Sequence, residues 1–286
     1  MKAPKRLLPL IEEGLIDSVQ RQLMSGKEAT VYVVQCAGEA CCAKVYKEAT
    51  ERSFRQAVDY TENRKVKNTR TARAMAKGTR YGRQAQEANW QSAEVDALYR
   101  LAAAGVRVPR PHNFYEGVLL MELVVDETGQ AAPRLTDVVF TPEEARAHHA
   151  LLLNEVVRML WVGVVHGDLS EFNILLGAEG PVIIDLPQAV DAAANNHARW
   201  MLERDIESMT AYYALYAPEL AESRYAKEIW ALYENGELHP DVELTGRFEE
   251  ELHAADVDLV MEEIKAAFAE EQERRQRLRE AEGFFG

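Results

Sequence analysis

The chain has 286 residues, 47% hydrophobic and 28% charged, with a formal net charge of −14, the profile of a soluble globular protein long enough for one two-lobed domain or two small ones. No apolar run approaches the ~20 residues of a membrane span, and Glu12 and Glu13 interrupt the basic N-terminus too early for a signal peptide, with no small-residue cleavage site after it. Cys36, Cys41 and Cys42 are the only cysteines and fall in one predicted hairpin, which excludes a disulfide framework and predicts a reducing cytoplasm.

Residues 1–18 read as an N-terminal extension, and residues 19–47 as strands: Val31–Cys36 is one run, Gly38-Glu39 a turn, and Ala40–Tyr46 the next. Residues 48–83 have no clean period. Within them, residues 51–83 hold ten Lys/Arg against Glu51, Asp59 and Glu62, a local charge of +7 that leaves −21 for the remainder. Such a stretch on an acidic protein suits RNA, an acidic partner or ATP, and equally a solvated loop with no partner. From about 84 to 104 the pattern is helical, closed by Gly105 as the residue beyond the C-cap. Val106–Pro111 is extended around two prolines, Gly117–Val124 is a buried strand, and Asp126–Pro133 is a loop. Thr141, Pro142 and Glu144 supply N-cap, first-turn proline and capping box for a helix to about Trp161. Beyond Pro187 the chain is mostly helical, ending in a charged segment, Arg247–Glu280. The order predicts an α+β fold: a small β-rich lobe over 19–124, a larger helical lobe over 125–245 and a charged helix over 246–286, with ATP between the lobes.

The chemistry concentrates in HGDLSEFNIL at 166–175, followed by Ile183-Ile-Asp185. Ile174–Leu176 and Val182–Ile184 are strand-like, and Gly177, Gly180 and Pro181 turn the chain between them. A hairpin then returns Asp185 to Asp168 and Asn173. Transfer of a γ-phosphoryl group needs positioning and charge neutralisation more than covalent help. One carboxylate for the hydroxyl nucleophile, with an amide and a second carboxylate for Mg²⁺ (or Mn²⁺), supplies both.

ATP also needs a cation, and Lys44 on the strand C-C-A-K is the candidate. Its carboxylate partner should lie on the helix that follows. Glu94 shares a stripe with Trp90, Leu98 and Leu101, whereas Glu87 lies beyond the stripe and Asp96 opposite it. The alternative is that Glu94 sits at the stripe's edge and reaches water. In Ser25-Gly-Lys-Glu-Ala-Thr30, Ser25, Lys27 and Thr30 offer donors to phosphate, although a plain hairpin turn would look similar. For adenine, the backbone C=O of Glu122 and N–H of Val124 are the expected contacts, with Met121 behind, Val31 and Cys42 above and Leu175 below. Each of these apolar residues could equally be plain core.

SGKEATVY, the Lys44–Glu94 pair, HGDLSEFNIL and IIDLPQAV together resemble the RIO-type atypical serine/threonine protein kinases, over roughly Leu15 to Tyr213. Asp185-Leu-Pro-Gln188 in place of D-F-G, and the SGKE loop, are specific to that family. The chain resembles its branch without an N-terminal winged helix, since about twenty residues precede the first strand. The resemblance implies a truncated kinase fold with no peptide-binding activation segment and a flexible insert before the Glu94 helix. It implies Asp168 as proton acceptor, Asn173 and Asp185 as Mg²⁺ ligands, and Lys44 with Glu94 as phosphate clamp. It also implies autophosphorylation and, in some members, ATPase turnover through an aspartyl-phosphate, here at Asp185. The protein substrate and any ribosomal partner do not follow from it. Ala217-Pro-Glu219 mimics the close of a conventional activation segment, but 197–216 has helical periodicity. Two other readings share these residues. One is a small-molecule phosphotransferase similar to the aminoglycoside and choline kinases. The other is an ATPase-switched scaffold binding RNA through 51–83.

Overall fold

The computed structural model describes residues 3–26, 28–47 and 93–248. Lys27, the basic stretch 51–83, Glu87, Trp90 and the segment from 249 onward lie outside these residues.

Five antiparallel strands form the first layer: β1 (Ser18–Ser25), β2 (Ala29–Cys36), β3 (Glu39–Tyr46), β4 (Pro111–Tyr115) and β5 (Val118–Glu122). They lie in the order β1-β2-β3-β5-β4. The β2–β3 turn falls at Ala37-Gly38, one residue earlier than the Gly38-Glu39 expected from the sequence. Ala37 and Gly38 both have positive φ (50° and 87°) and Cys36 pairs with Glu39, a two-residue turn whose mirror-image twist suits a hairpin. Glu116 and Gly117 (φ 46° and 73°) repeat the device between β4 and β5. β4 was not expected from the sequence. Its proline start and interrupted register, with Pro111 and Asn113 opposite Met121 and Leu120, are those of an edge strand, where a missing N–H is tolerated.

Period-2 alternation divides the sheet into two faces. Val31 pairs with Lys44, Val33 with Cys42, and these with Leu119 and Met121, so these six side chains share one face. The other carries Val34, Cys41, Ala43, Val45, Val118 and Leu120. They pack with Leu7, Leu10 and Ile16 of the N-terminal stretch, which contains α1 (Leu8–Glu12). The expected extension is therefore core. Burial pushes the Cys36 and Cys42 thiols up to about 12, leaving almost no thiolate at neutral pH.

A helix follows over 93–103, here α2. Gly105 stands beyond it with φ 76° while Val106 N–H closes onto Leu101 C=O. The second lobe is built on α3 (Pro142–Trp161), α4 (Ala198–Ala214) and α5 (Tyr225–Glu234). α3 begins where the sequence places it: Glu144 N–H donates to Thr141 Oγ1 at 3.2 Å and Thr141 N–H to Glu144 Oε2 at 2.8 Å. Between α3 and α4 lie β6 (Val164–Val165), the hairpin β7 (Ile174–Gly177) and β8 (Gly180–Ile183), and β9 (Val190–Asp191), which pairs with β6. Helix α4 covers most of 197–216, and Pro218–Glu222 is a 3₁₀ turn, so Ala217-Pro-Glu219 closes no activation loop. None of the helices among the described residues is long and apolar enough to cross a membrane.

His149 on α3 sits in this core with Nε2 2.9 Å from Thr210 Oγ1 of α4, and burial pushes its pKa down to about 4. The folded state therefore binds fewer protons than the unfolded chain between about pH 6.5 and 4, and stability falls with pH across that window. At pH 5 the cost is about 2 kcal/mol. Denaturant titrations at pH 7 and pH 5 should show His149→Gln losing less stability on acidification than the parent.

Candidate active site

Lys44, central in β3, projects from the sheet's inner face toward the second lobe. Its Nζ lies 2.6 Å from Glu94 Oε1 on α2 and 2.8 Å from Asp185 Oδ1 beyond β8. Glu94 is 6% exposed, so it does not reach water as the alternative would have it, and Asp96 faces out. Burial alone would lower the Lys44 pKa; Glu94 and Asp185 outweigh it and hold the ammonium well above its usual range. Tyr46, one pleat along, donates its hydroxyl to Glu94 Oε2 at 2.8 Å, so both carboxylate oxygens are satisfied. Tyr46 gave no signal in the sequence beyond a strand aromatic.

Asp185 has φ +67°, a left-handed conformation that costs a non-glycine residue free energy and clusters at functional sites. Its side chain remains 45% exposed. Burial works to raise its pKa, but Lys44 prevails and holds the carboxyl below its ordinary value, with Arg134 adding to the effect.

The loop carrying Asp168 is fixed by its backbone. His166 is buried, with Nδ1 accepting from Asp168 N–H at 3.2 Å and Nε2 lying 3.1 Å from Ile184 C=O. The first partner can only donate and the second can only accept, so the proton sits on Nε2. That ring thus ties the loop to the strand leading into Asp185. Gly167 (φ 79°) donates its N–H to Asp205 Oδ2 on α4 at 2.7 Å. Arg204 donates to Gly167 C=O and to Asp205 Oδ1, and its guanidinium lies 4.9 Å from the Trp200 ring centroid. Asn173 donates its amide to Asp168 C=O at 2.8 Å, and Ile184 N–H donates to Asn173 C=O at 2.9 Å. Burial lifts the Asp168 carboxyl above its ordinary range, and Asp185 adds to the lift.

The structure therefore gathers Lys44, Glu94, Asp168, Asn173 and Asp185 around one corner. Val31, Met121 and Cys42 line the inner sheet face in register. Leu175 sits on β7 opposite Arg134. Val124 is buried and accepts from Ala132 N–H at 2.9 Å, while the Glu122 carboxylate faces Arg107 and Arg110 N–H. Ser25 Oγ is 3.3 Å from Thr30 Oγ1 across the SGKE turn. Lys47 donates to Gly26 C=O at 2.7 Å. His166, Asp205, Arg204 and Lys47 were not singled out from sequence: a short turn motif or an isolated charge does not say which distant backbone it will hold.

A twisted five-stranded sheet stacked on a helical lobe, with an ion-paired lysine beneath it and two acids on adjoining loops, defines the protein-kinase-like phosphotransferase class of fold. The family model described as RIO domain matches residues 30–226. The chain belongs to the RIO family. It is 32% identical over 191 residues to the Schizosaccharomyces pombe serine/threonine-protein kinase rio1, covering 65% of this chain and 36% of that one. Identity to the Haloferax volcanii RIO-type serine/threonine-protein kinase Rio1 is 33% over 208 residues, 71% of this chain and 66% of the relative. For the Caenorhabditis elegans serine/threonine-protein kinase RIO3 the values are 31% over 214 residues, 72% and 39%. The match thus spans between about a third and two thirds of these relatives' lengths.

The Lys44–Glu94 pair is also the energetic keystone of the site. Removing one partner of a buried charge pair typically costs about 3–5 kcal/mol, and Glu94→Ala leaves the buried Lys44 with Asp185 alone and takes the acceptor from the Tyr46 hydroxyl. Urea unfolding should place that variant about 3 kcal/mol below the parent; Tyr46→Phe, losing one hydrogen bond, should lose about 1 kcal/mol.

Proposed function

We propose that this chain is an ATP- and Mg²⁺-dependent protein serine/threonine kinase, capable of phosphorylating itself. The observation that carries the reading is the double engagement of Lys44 by Glu94 and Asp185 at 2.6 and 2.8 Å, beside the immobilised Asp168 loop. The names of the relatives support it.

In this reading Lys44 transfers its contact with Asp185 to the nucleotide phosphates and keeps Glu94. Asp185, with Asn173 beside it, would hold Mg²⁺. Their donor set fits that ion, which takes one or two protein oxygens and completes its octahedron with phosphate and water. The partly exposed Asp185 carboxylate is of the required kind, and the Asn173 amide nitrogen is spent on Asp168 C=O, leaving its oxygen as the ligating end. Bound there with the nucleotide, the ion would supply charge neutralisation to the phosphates. Asp168 accepts the proton of a serine or threonine hydroxyl as that oxygen bonds to the γ-phosphorus. The bond to the β,γ-bridging oxygen breaks and ADP leaves. The hydrogen bonds to His166, Asp205 and Asn173 keep the loop from drifting as charge moves, which is where positioning catalysis gains its rate. Adenine would lie under Val31 and Cys42 and over Leu175, hydrogen-bonded to the backbone at Glu122 and Val124, with Met121 behind. Ser25 and Lys27 are assigned to the phosphates. Attack by Asp185 on the γ-phosphorus, followed by hydrolysis, would give ATPase turnover from the same corner.

Incubation with γ-labelled ATP, resolving labelled protein, free phosphate and small-molecule products, tests the reading. Labelled serine or threonine in the chain or in an added protein is expected. Label only in a small acceptor would replace it with a small-molecule phosphotransferase. Asp168→Asn should lower transfer by about a hundredfold or more while ATP affinity stays within about twofold. Asp185→Asn should abolish the gain in ATP affinity on adding Mg²⁺; equal affinity with Mg²⁺ and with EDTA in the parent would remove the metal assignment. The transfer rate should climb with pH as Asp168 ionises. Burial holds that carboxyl above the ordinary 3.8, so the acid limb should lie above that value as well.

A further inference from the structure

Among the described residues, Arg100, Arg107, Arg146, Arg158, Arg199 and Arg204 each pair with an Asp or Glu. Arg134 does not. Its guanidinium donates to Met24 Sδ at 2.8 Å, and among the described residues no carboxylate is paired with it. A thioether is a weak acceptor, and a guanidinium has five N–H donors in a fork matched to carboxylate or phosphate.

The placement of Arg134 is fixed at both ends. Its backbone forms an antiparallel bridge with Leu175 of β7, Leu176 N–H donates to Pro133 C=O at 2.9 Å, and the fully buried Leu135 anchors the next residue. The side chain rises from there to Met24 on β1. Met24 pairs with Val31 one step before Ser25 pairs with Thr30 at the SGKE turn. Arg134 therefore crosses from the helical lobe to the strand that leads into the phosphate loop. Its backbone bridges to the β7–β8 hairpin that leads into Asp185, and its positive charge is felt at that carboxylate, in the space that Lys44 enters from β3. That space is ringed by Glu94, Asp168 and Asp185, and Lys44 alone is a small counterweight to a triphosphate.

We propose that Arg134 is a second phosphate-binding cation of the nucleotide site, exchanging Met24 for an oxygen of the α- or β-phosphate when ATP or ADP binds. The proposal rests on the nucleotide-binding reading above and deepens it by assigning a phosphate contact that the lysine clamp does not supply. It involves no covalent step. A charge-assisted hydrogen bond is roughly twice as strong as a neutral one, so losing it should be visible in affinity for phosphorylated ligands only.

The test measures binding of ATP, ADP and adenosine to the full chain, in EDTA and in Mg²⁺, for the parent, Arg134→Ala, Arg134→Lys and Met24→Leu. Arg134→Ala should weaken ATP and ADP about tenfold and leave adenosine as in the parent. Arg134→Lys should recover part of the loss, and Met24→Leu should bind all three ligands like the parent. A parallel loss for adenosine would overturn the proposal, since Arg134 would then act on the nucleoside or on lobe closure. So would an Arg134→Ala variant that binds ATP as the parent does, or a Met24→Leu variant that reproduces the alanine phenotype. Those outcomes leave the kinase reading intact; a parent that binds neither ATP nor ADP overturns both.

Discussion

An ammonium group cannot be carried into a protein interior alone. Desolvation would either strip its proton or cost several kcal/mol. Lys44 is held there charged because two carboxylates meet it from separate elements: Glu94 from α2 and Asp185 from the end of β8. The architecture around the cleft answers to that requirement. The inner face of the sheet must point the lysine at the second lobe, α2 must present Glu94 on its buried stripe, and the β7–β8 hairpin must return Asp185 to the same point. Asp185 adopts a left-handed backbone at that position, and the free energy this costs is offset by the ion pair it completes. Tyr46 closes the system by occupying the second oxygen of Glu94.

The Asp168 loop is organised on a different principle. Here the constraints are hydrogen bonds to backbone groups: His166 to Asp168 N–H and Ile184 C=O, Asp205 to Gly167 N–H, Asn173 to Asp168 C=O. Such contacts fix where a main chain runs without altering what its side chains can titrate. The loop can therefore be rigid while the Asp168 carboxylate itself stays uncommitted to any of the tethers that hold it. One half of the corner is set by charge and the other by backbone geometry, and His166 joins them because it bonds to both loops.

How much of this was legible follows from the range of each signal. The cap of α3, the β2–β3 hairpin and the stripe carrying Glu94, Leu98 and Leu101 are local, and their periodicity could be read directly. Lys44, Asp168, Asn173 and Asp185 were legible because their spacing is itself a motif. The turn was displaced by one residue, to Ala37-Gly38 from Gly38-Glu39, since nothing in Ala37 marks it as a residue of positive φ. Strand β4 was missed because two prolines mask an edge strand, which needs no full alternation. The N-terminal stretch was read as an extension because nothing in Leu7, Leu10 and Ile16 says that they cover the sheet's outer face. Asp205 stands 38 residues from Gly167 and Arg134 stands 110 from Met24. No window of sequence contains either pair, and only the fold makes them neighbours.

Asp168 and Asp185 are the same residue type on adjoining loops, yet their environments push them in opposite directions. Burial, reinforced by the charge of Asp185, raises Asp168, whereas Lys44 overrides burial and lowers Asp185. Carboxylates separated in this way suit different tasks. In the proposed reading the lower one, held ionised by Lys44, exchanges one cation for another, ammonium for metal, with no change of protonation. In the same reading the higher one is the better base, because a proton taken from a hydroxyl is held more firmly there. The division follows from an asymmetry of position: Lys44 lies within hydrogen-bonding distance of Asp185, while at Asp168 burial outweighs the lowering influence of His166 and Arg204.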